Sequence, residues 1–146
     1  MEGLAKATPL LARILLALIF VLAGISKLAD PSHTVGQMAS HGIPLPNVLV
    51  FGAIAVELIG GLVLVAGWHG RLAALVLGAY TLTLALIFHP YWAASGAEAG
   101  TQHALFFGHL SMIGGMLYVA VYGPGPLSVD EAVQSGAHHR FPLRTH

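Results

Sequence analysis

The sequence predicts an all-α membrane protein, a single domain built as a bundle of four transmembrane helices. Three observations carry this expectation. Of the 146 residues, 56% are hydrophobic and only 8% are charged, and the mean hydropathy is +0.79, whereas soluble domains carry roughly 25% charged residues. Four apolar runs are each long enough to cross a hydrocarbon core about 30 Å thick, which takes about 20 helical residues. The few Lys and Arg residues are also placed unevenly between the two sides that such spans define.

The first run covers Pro9 to Leu28, the second Asn47 to Gly67, the third Leu72 to His89 and the fourth His103 to Tyr122. Gly60-Gly61, Gly78 and Gly114-Gly115 fall inside these runs, where small residues let helices approach closely in lipid. Lys6 and Arg13 ahead of an apolar stretch also resemble a signal peptide, but Lys27 and the short connection to the second run fit a retained helix. With both termini cytoplasmic, the inner side holds Lys6, Arg13, Arg71, Arg140 and Arg144, and the outer side only Lys27. That is the orientation the positive-inside rule selects. Arg13 and Lys27, close to the two ends of the first run, read as interface anchors.

Two short interfacial helices complete the architecture. Asp30-Pro31 reads as an N-cap followed by proline at the first helical position, with Gly42 as the stop. His33, Gln37 and His41 recur along one face of this helix in the first outer loop. In the tail, Gly123-Pro124-Gly125-Pro126 ends the fourth span, and Ser128-Val129-Asp130-Glu131 forms a capping box for a short cytoplasmic helix. His138, His139 and His146 read as solvated tail residues.

Composition excludes several functions. Net charge is zero and no basic cluster exists, so nucleic-acid binding has no electrostatic footprint. Cysteine is absent, which excludes disulfides, thiolate catalysis and Cys-ligated clusters within the chain. Redox chemistry here would use a bound quinone or other cofactor, a metal on His and carboxylate, or the thiols of a partner.

Glu57 is the one charge between Pro46 and Arg71, and a carboxylate at membrane depth marks a functional site or binds helices together. It lies roughly 15 Å from the outer end of its span by helical rise, with Tyr80 at roughly 13 Å and His109 at roughly 9 Å in theirs. Ala53, Glu57, Gly60, Gly61 and Leu64 share one stripe, so Glu57 should face protein, where it is either protonated or paired. His109 and Tyr80 are the expected direct neighbours. Lys27, offset by roughly 12 Å on the same scale, is expected to snorkel or to attract an anionic ligand. The candidate catalytic set is therefore Glu57, His109 and Tyr80; Lys27, Phe88, His89 and Trp92 are the candidate substrate-binding set.

The outer histidines His33, His41, His89, His103 and His109 invite a metal reading. Neither HxxxH nor HExxH occurs, and His33 and His41 are two turns apart, so the pattern disfavours a metal site. Haem is disfavoured too: His89 and His103 are the histidines matched in depth, and they lie at the membrane edge. Tyr91 and Trp92 fit an interfacial aromatic belt.

Six short segments in register resemble the DoxX family of small inner-membrane proteins. They are Phe20 to Leu28, Gly42-Ile43-Pro44-Leu45-Pro46, and Glu57-Leu58-Ile59-Gly60-Gly61-Leu62 with Gly67. Arg71-Leu72-Ala73-Ala74, Phe88-His89-Pro90-Tyr91-Trp92 and Gly123 to Asp130 complete the set. The resemblance covers about residues 13 to 130 and implies a four-span bundle in the bacterial inner membrane. It also implies a link to redox biology, since the family is similar to the DoxD-type membrane subunit of thiosulfate:quinone oxidoreductase. Some members associate with a superoxide dismutase and a sulfur-transfer protein. Lys27, Glu57, Arg71, His89 and Trp92 fall on the family pattern; His109 and Tyr80 come from the depth argument alone.

Three functions follow as expectations. The first, implied by the resemblance, is a quinone-interacting, redox-associated subunit of a membrane oxidoreductase complex, with quinone as the one cofactor and Lys27, Phe88, His89 and Trp92 as its binding set. The second is a structural or assembly subunit whose partners are other membrane proteins or copies of itself. The third is a proton or small-solute pathway, which would need an oligomer.

Overall fold

A computed structural model describes residues 2–140. Arg144 and His146, and the side chains of His138, His139 and Arg140, lie outside what it describes. The described residues form six α-helices: α1 Glu2–Ala29, α2 Pro31–Ser40, α3 Pro46–Ala66, α4 Gly70–Phe88, α5 Ala99–Tyr122 and α6 Val129–Arg140. A single 3-10 turn, Gly96–Glu98, leads into α5. Among the described residues four segments, Gly3–Ala29, Pro46–Ala66, Gly70–Phe88 and Gly96–Tyr122, are long and apolar enough to cross a membrane.

The first span starts earlier than expected. Helix α1 runs through Pro9 back to Glu2 instead of beginning at the proline. Proline there withholds one N–H from the preceding turn, and its ring is used for packing. A Cβ on Gly125 would lie 2.7 Å from Pro9 Cβ, so the tail crosses α1 at this ring.

The other boundaries follow local chemistry. Asp30 accepts a bond from the Ser32 amide at 3.1 Å and opens α2 with Pro31 behind it. The Ser32 hydroxyl also donates to Asp30 and holds its carboxyl below the usual carboxylate range. Gly67, at φ 65°, closes α3: its amide reaches Leu64 O at 3.1 Å and the Trp68 amide reaches Val63 O at 3.3 Å, a Schellman stop. The link to α4 is then so short that α3 and α4 must be antiparallel neighbours. At the tail, the Glu131 amide donates to Ser128 Oγ at 3.2 Å, as the capping box requires.

Helix α1 packs along α3, α4 along α5, and the two pairs join through α3 and α4, while α1 barely meets α5. Ala17, Phe20, Leu64, Leu77, Met116 and Val119 form the apolar core between them. Helix α2 lies on the first half of α3, with Met38 packed on Val50, Ala53 and Ile54. The two glycines at 60 and 61 serve different neighbours: Gly60 faces Leu77 of α4 and Gly61 faces Val21 of α1.

The end of the bundle that holds Arg13 is closed by side chain-to-backbone bonds. Arg13 is 1% exposed, which corrects its reading as an interface anchor. Its Nη1 donates to Val65 O at 2.8 Å and to Leu64 O at 3.4 Å, and Nη2 donates to Leu127 O at 2.8 Å. Two of these are last-turn carbonyls of α3: the guanidinium fork supplies the donor for Val65 O and adds a longer second one for Leu64 O, which already accepts from the Gly67 amide. Asp130 accepts from the His69 and Gly70 amides at 2.8 and 2.9 Å, capping the start of α4. Arg71 donates to Ala120 O and Val121 O at the end of α5.

Candidate functional site

At the opposite end the polar side chains gather around Glu57. This carboxylate is 1% exposed and sits on the inward stripe of α3 with Ala53, Gly61 and Leu64. Lys27 Nζ donates to Oε1 at 2.8 Å and to Oε2 at 3.0 Å. The Tyr80 hydroxyl donates to Oε1 at 2.8 Å. Three helices thus meet on one carboxylate, an arrangement that neutralises a buried charge with charge-assisted bonds.

Lys27 is the direct ion-pair partner, contrary to the sequence estimate of a gap on the order of 12 Å from helical rise. That estimate assumed that the ends of α1 and α3 are level. They are not. A Cβ on Gly24 would lie 2.7 Å from Leu58 Cγ and 3.3 Å from Glu57 Cβ, so Gly24 is the point of closest approach and is level with Glu57. Lys27 is then one turn away, roughly 4.5 Å along the axis, within reach of an extended lysine. Helix α3 continues well beyond the end of α1, and α2 packs against that overhang.

His109 is not a direct neighbour of Glu57. Its Nδ1 donates to Leu105 O at 2.7 Å, and its ring lies against His89 with centroids 4.9 Å apart. Helix register explains the correction. The packing of Met116 on Gly78 places His109 level with about Ala85, roughly 7.5 Å along α4 beyond Tyr80, and from there its ring meets that of His89. The histidines matched in the structure are therefore His89 and His109, while His103 packs on Phe107 and Tyr91.

Lys27, Tyr80, Phe88, His89 and His109 nonetheless share one space. They line a cavity of about 590 Å³ above Glu57, with α2 forming the remaining wall. Of the predicted residues, Trp92 alone is carried elsewhere: it is 59% exposed and packs edge-on against Tyr91 and Phe106. Phe88 is on the wall, with the His41 ring tilted against it, centroids 4.8 Å apart. The α2 face supplies Gln37 and His41 but not His33. Sequence reasoning missed Thr34 and Gln102. Gln102 Oε1 lies 3.0 Å from His89 Nδ1; its only sequence signal is a polar residue one position before the fourth run. Among the described residues, no three His, Asp or Glu side chains come together as a metal-ligand cluster.

Chemically, the floor of this cavity can move a proton. The Glu57 carboxylate is reached from the cavity through Lys27, whose side chain is 21% exposed, and through Tyr80. Beyond Glu57 the interior among the described residues is filled by the apolar core.

Comparison with known proteins agrees with this architecture. A DoxX family model matches residues 8–90. The inner membrane protein YphA of Escherichia coli (strain K12) is 36% identical over 121 residues, 83% of this chain and 86% of that protein. The inner membrane protein YqjF of the same organism is 33% identical over 133 residues, 89% of this chain and 95% of that protein. No solved structure matches. With four membrane-crossing helices and inner-membrane relatives on both counts, the chain is a multi-pass inner-membrane protein, and it belongs to the DoxX family.

Proposed function

We propose that this protein is a quinone-interacting subunit of a membrane oxidoreductase, binding the quinone head group in the cavity above Glu57. The observation that carries the reading is the Lys27–Glu57–Tyr80 unit at the floor of that cavity. Its volume of about 590 Å³ falls in the range typical of small-molecule sites, roughly 300–1,000 Å³, and its wall mixes Phe88, Met38 and Leu84 with imidazoles and amides. A quinone takes up two protons with two electrons. The two electrons are supplied by a partner oxidoreductase subunit. Glu57 exchanges protons through Lys27 and Tyr80, and His89 and His109 serve the second oxygen of the ring. With the termini cytoplasmic, as the lysine and arginine distribution indicates, the cavity faces the periplasmic side.

The test uses the full chain purified in mild detergent with its native lipids. Bound quinone should be recovered on extraction, and Glu57→Gln should lower quinol-linked turnover of the purified complex by tenfold or more. Absence of quinone together with wild-type turnover in Glu57→Gln would remove the reading. The exposed face of α5 favours a second one, an assembly subunit: Gly108 and Gly114 on that helix have nothing packed against them. A stoichiometric membrane partner retained in mild detergent, and lost on Gly108→Leu, would support it. A lone monomer would count against it.

A further inference from the structure

The hydrogen-bonding groups around the cavity are unbalanced, and the imbalance is set by tautomers. His109 Nδ1 lies 2.7 Å from Leu105 O, and His41 Nδ1 lies 2.9 Å from Gln37 O. A backbone carbonyl only accepts, so each neutral ring keeps its proton on Nδ1 and carries a lone pair on Nε2. His89, with Nδ1 3.0 Å from Gln102 Oε1, takes the same tautomer. None of the three Nε2 atoms has a hydrogen-bond partner among the described residues, and all three rings line the cavity.

The floor adds to the same side of the balance. Tyr80 gives its O–H to Glu57, so its oxygen can only accept, and Glu98 at the wall also only accepts. The opposing donors are few. Lys27 commits two of its three N–H groups to Glu57, which leaves one, and Gln102 offers its amide N–H. Gln37 and Thr34 can act either way.

We propose that the cavity selects the dihydroxy form of its ligand, binding quinol in preference to quinone. This rests on the quinone reading above and sharpens it. A quinone presents two carbonyl acceptors, which would find only the spare Lys27 N–H and the amide and hydroxyl donors of the wall, and would set their lone pairs against those of the imidazoles and the Tyr80 phenol. A quinol presents two O–H donors, which meet Nε2 of His109 or His89 at one end and Tyr80 Oη at the other. A site that pairs a ligand hydroxyl discriminates strongly against the analogue without it.

The experiment is equilibrium dialysis of the full chain in detergent at about pH 8, where imidazole is neutral. The probes are duroquinol and duroquinone, each held in its redox state under argon. The expected result is quinol binding about tenfold or more tighter than quinone, a factor set by one hydrogen bond gained rather than lost. His109→Phe should weaken quinol binding several-fold while leaving duroquinone binding unchanged, so that the preference collapses. His89→Phe provides a second variant should His109→Phe fail to fold, with the same direction expected. Equal affinities, or tighter quinone binding, overturn the preference and leave the quinone reading standing. If neither probe binds, both fall.

Discussion

Helix α1 carries a cation near each end of the bundle, and the two are used in opposite ways. Arg13 is enclosed, and its fork donates to backbone carbonyls of α3 and of the tail, groups that have no protonation chemistry. Lys27 is partly open, pairs with a carboxylate that can titrate, and borders a cavity. The Arg13 end also has Asp130 on the α4 amides and Arg71 on the α5 carbonyls, so its polar groups are consumed in joining helix ends. At the Lys27 end, polar side chains outnumber the structural bonds available to them. A rigid planar donor fork suits the first task, and a flexible point charge suits the second. The difference separates an end that holds the bundle together from an end that is free to bind.

The comparison can be broken by substitution, and the largest effect belongs at Arg13. Arg13→Ala leaves the Val65 and Leu127 carbonyls without the guanidinium donors and opens a void, and should cost about 4 kcal/mol. Thermal unfolding in detergent, followed by circular dichroism, reads this directly; an unchanged midpoint would show that the clasp is not structural. Next comes the ion pair. Glu57→Leu strands Lys27 near the interior and should cost roughly 2–3 kcal/mol, whereas adding Lys27→Met in the same chain should recover most of that loss. Failure of the second change to rescue would mean that the pair is not the main interaction of Glu57.

Smaller effects sharpen the contrast. Asp130→Ala removes the cap of α4 and should cost about 1 kcal/mol, visible in the same unfolding assay and as faster hydrogen exchange at the His69 and Gly70 amides. The smallest effect is pH-dependent. Because the Ser32 hydroxyl lowers the Asp30 carboxyl, the cap of α2 is fully formed above the ordinary carboxylate value of about 4 and is lost as the pH falls through the depressed value. Amide exchange at Ser32 should therefore rise only at the acid end of that window. A rise beginning near neutrality would show that another group controls α2.

Much of this molecule was legible before any coordinates. Asp30-Pro31, Gly67 and the Ser128 capping box end helices through contacts a few residues away, so their signals are local and survived intact. The inward stripe of Glu57 with Ala53, Gly61 and Leu64 was legible because helical periodicity sorts faces. The Tyr80 contact was foreseen because α3 and α4 are joined by three residues, which makes depth along one helix a fair guide to depth along the other. Lys27 and His109 were misplaced for the converse reason: α1 and α5 slide relative to their neighbours by amounts that rise per residue does not contain. Arg13 was misread because its partners are backbone carbonyls, which have no sequence signature.

The sequence by itself determined the class, the four spans, the two short helices and the face on which Glu57 lies, because hydrophobicity, periodicity and capping act within a turn or two of chain. Only the tertiary structure decided which cation meets the carboxylate, which histidines stack, and that a cavity lies above them. Those outcomes depend on where Gly24 lets α1 touch α3 and where Gly78 lets α5 settle on α4. Each is a close approach between residues more than 30 positions apart in the chain, and an axial slip of one turn, about 5.4 Å, would exchange every partner.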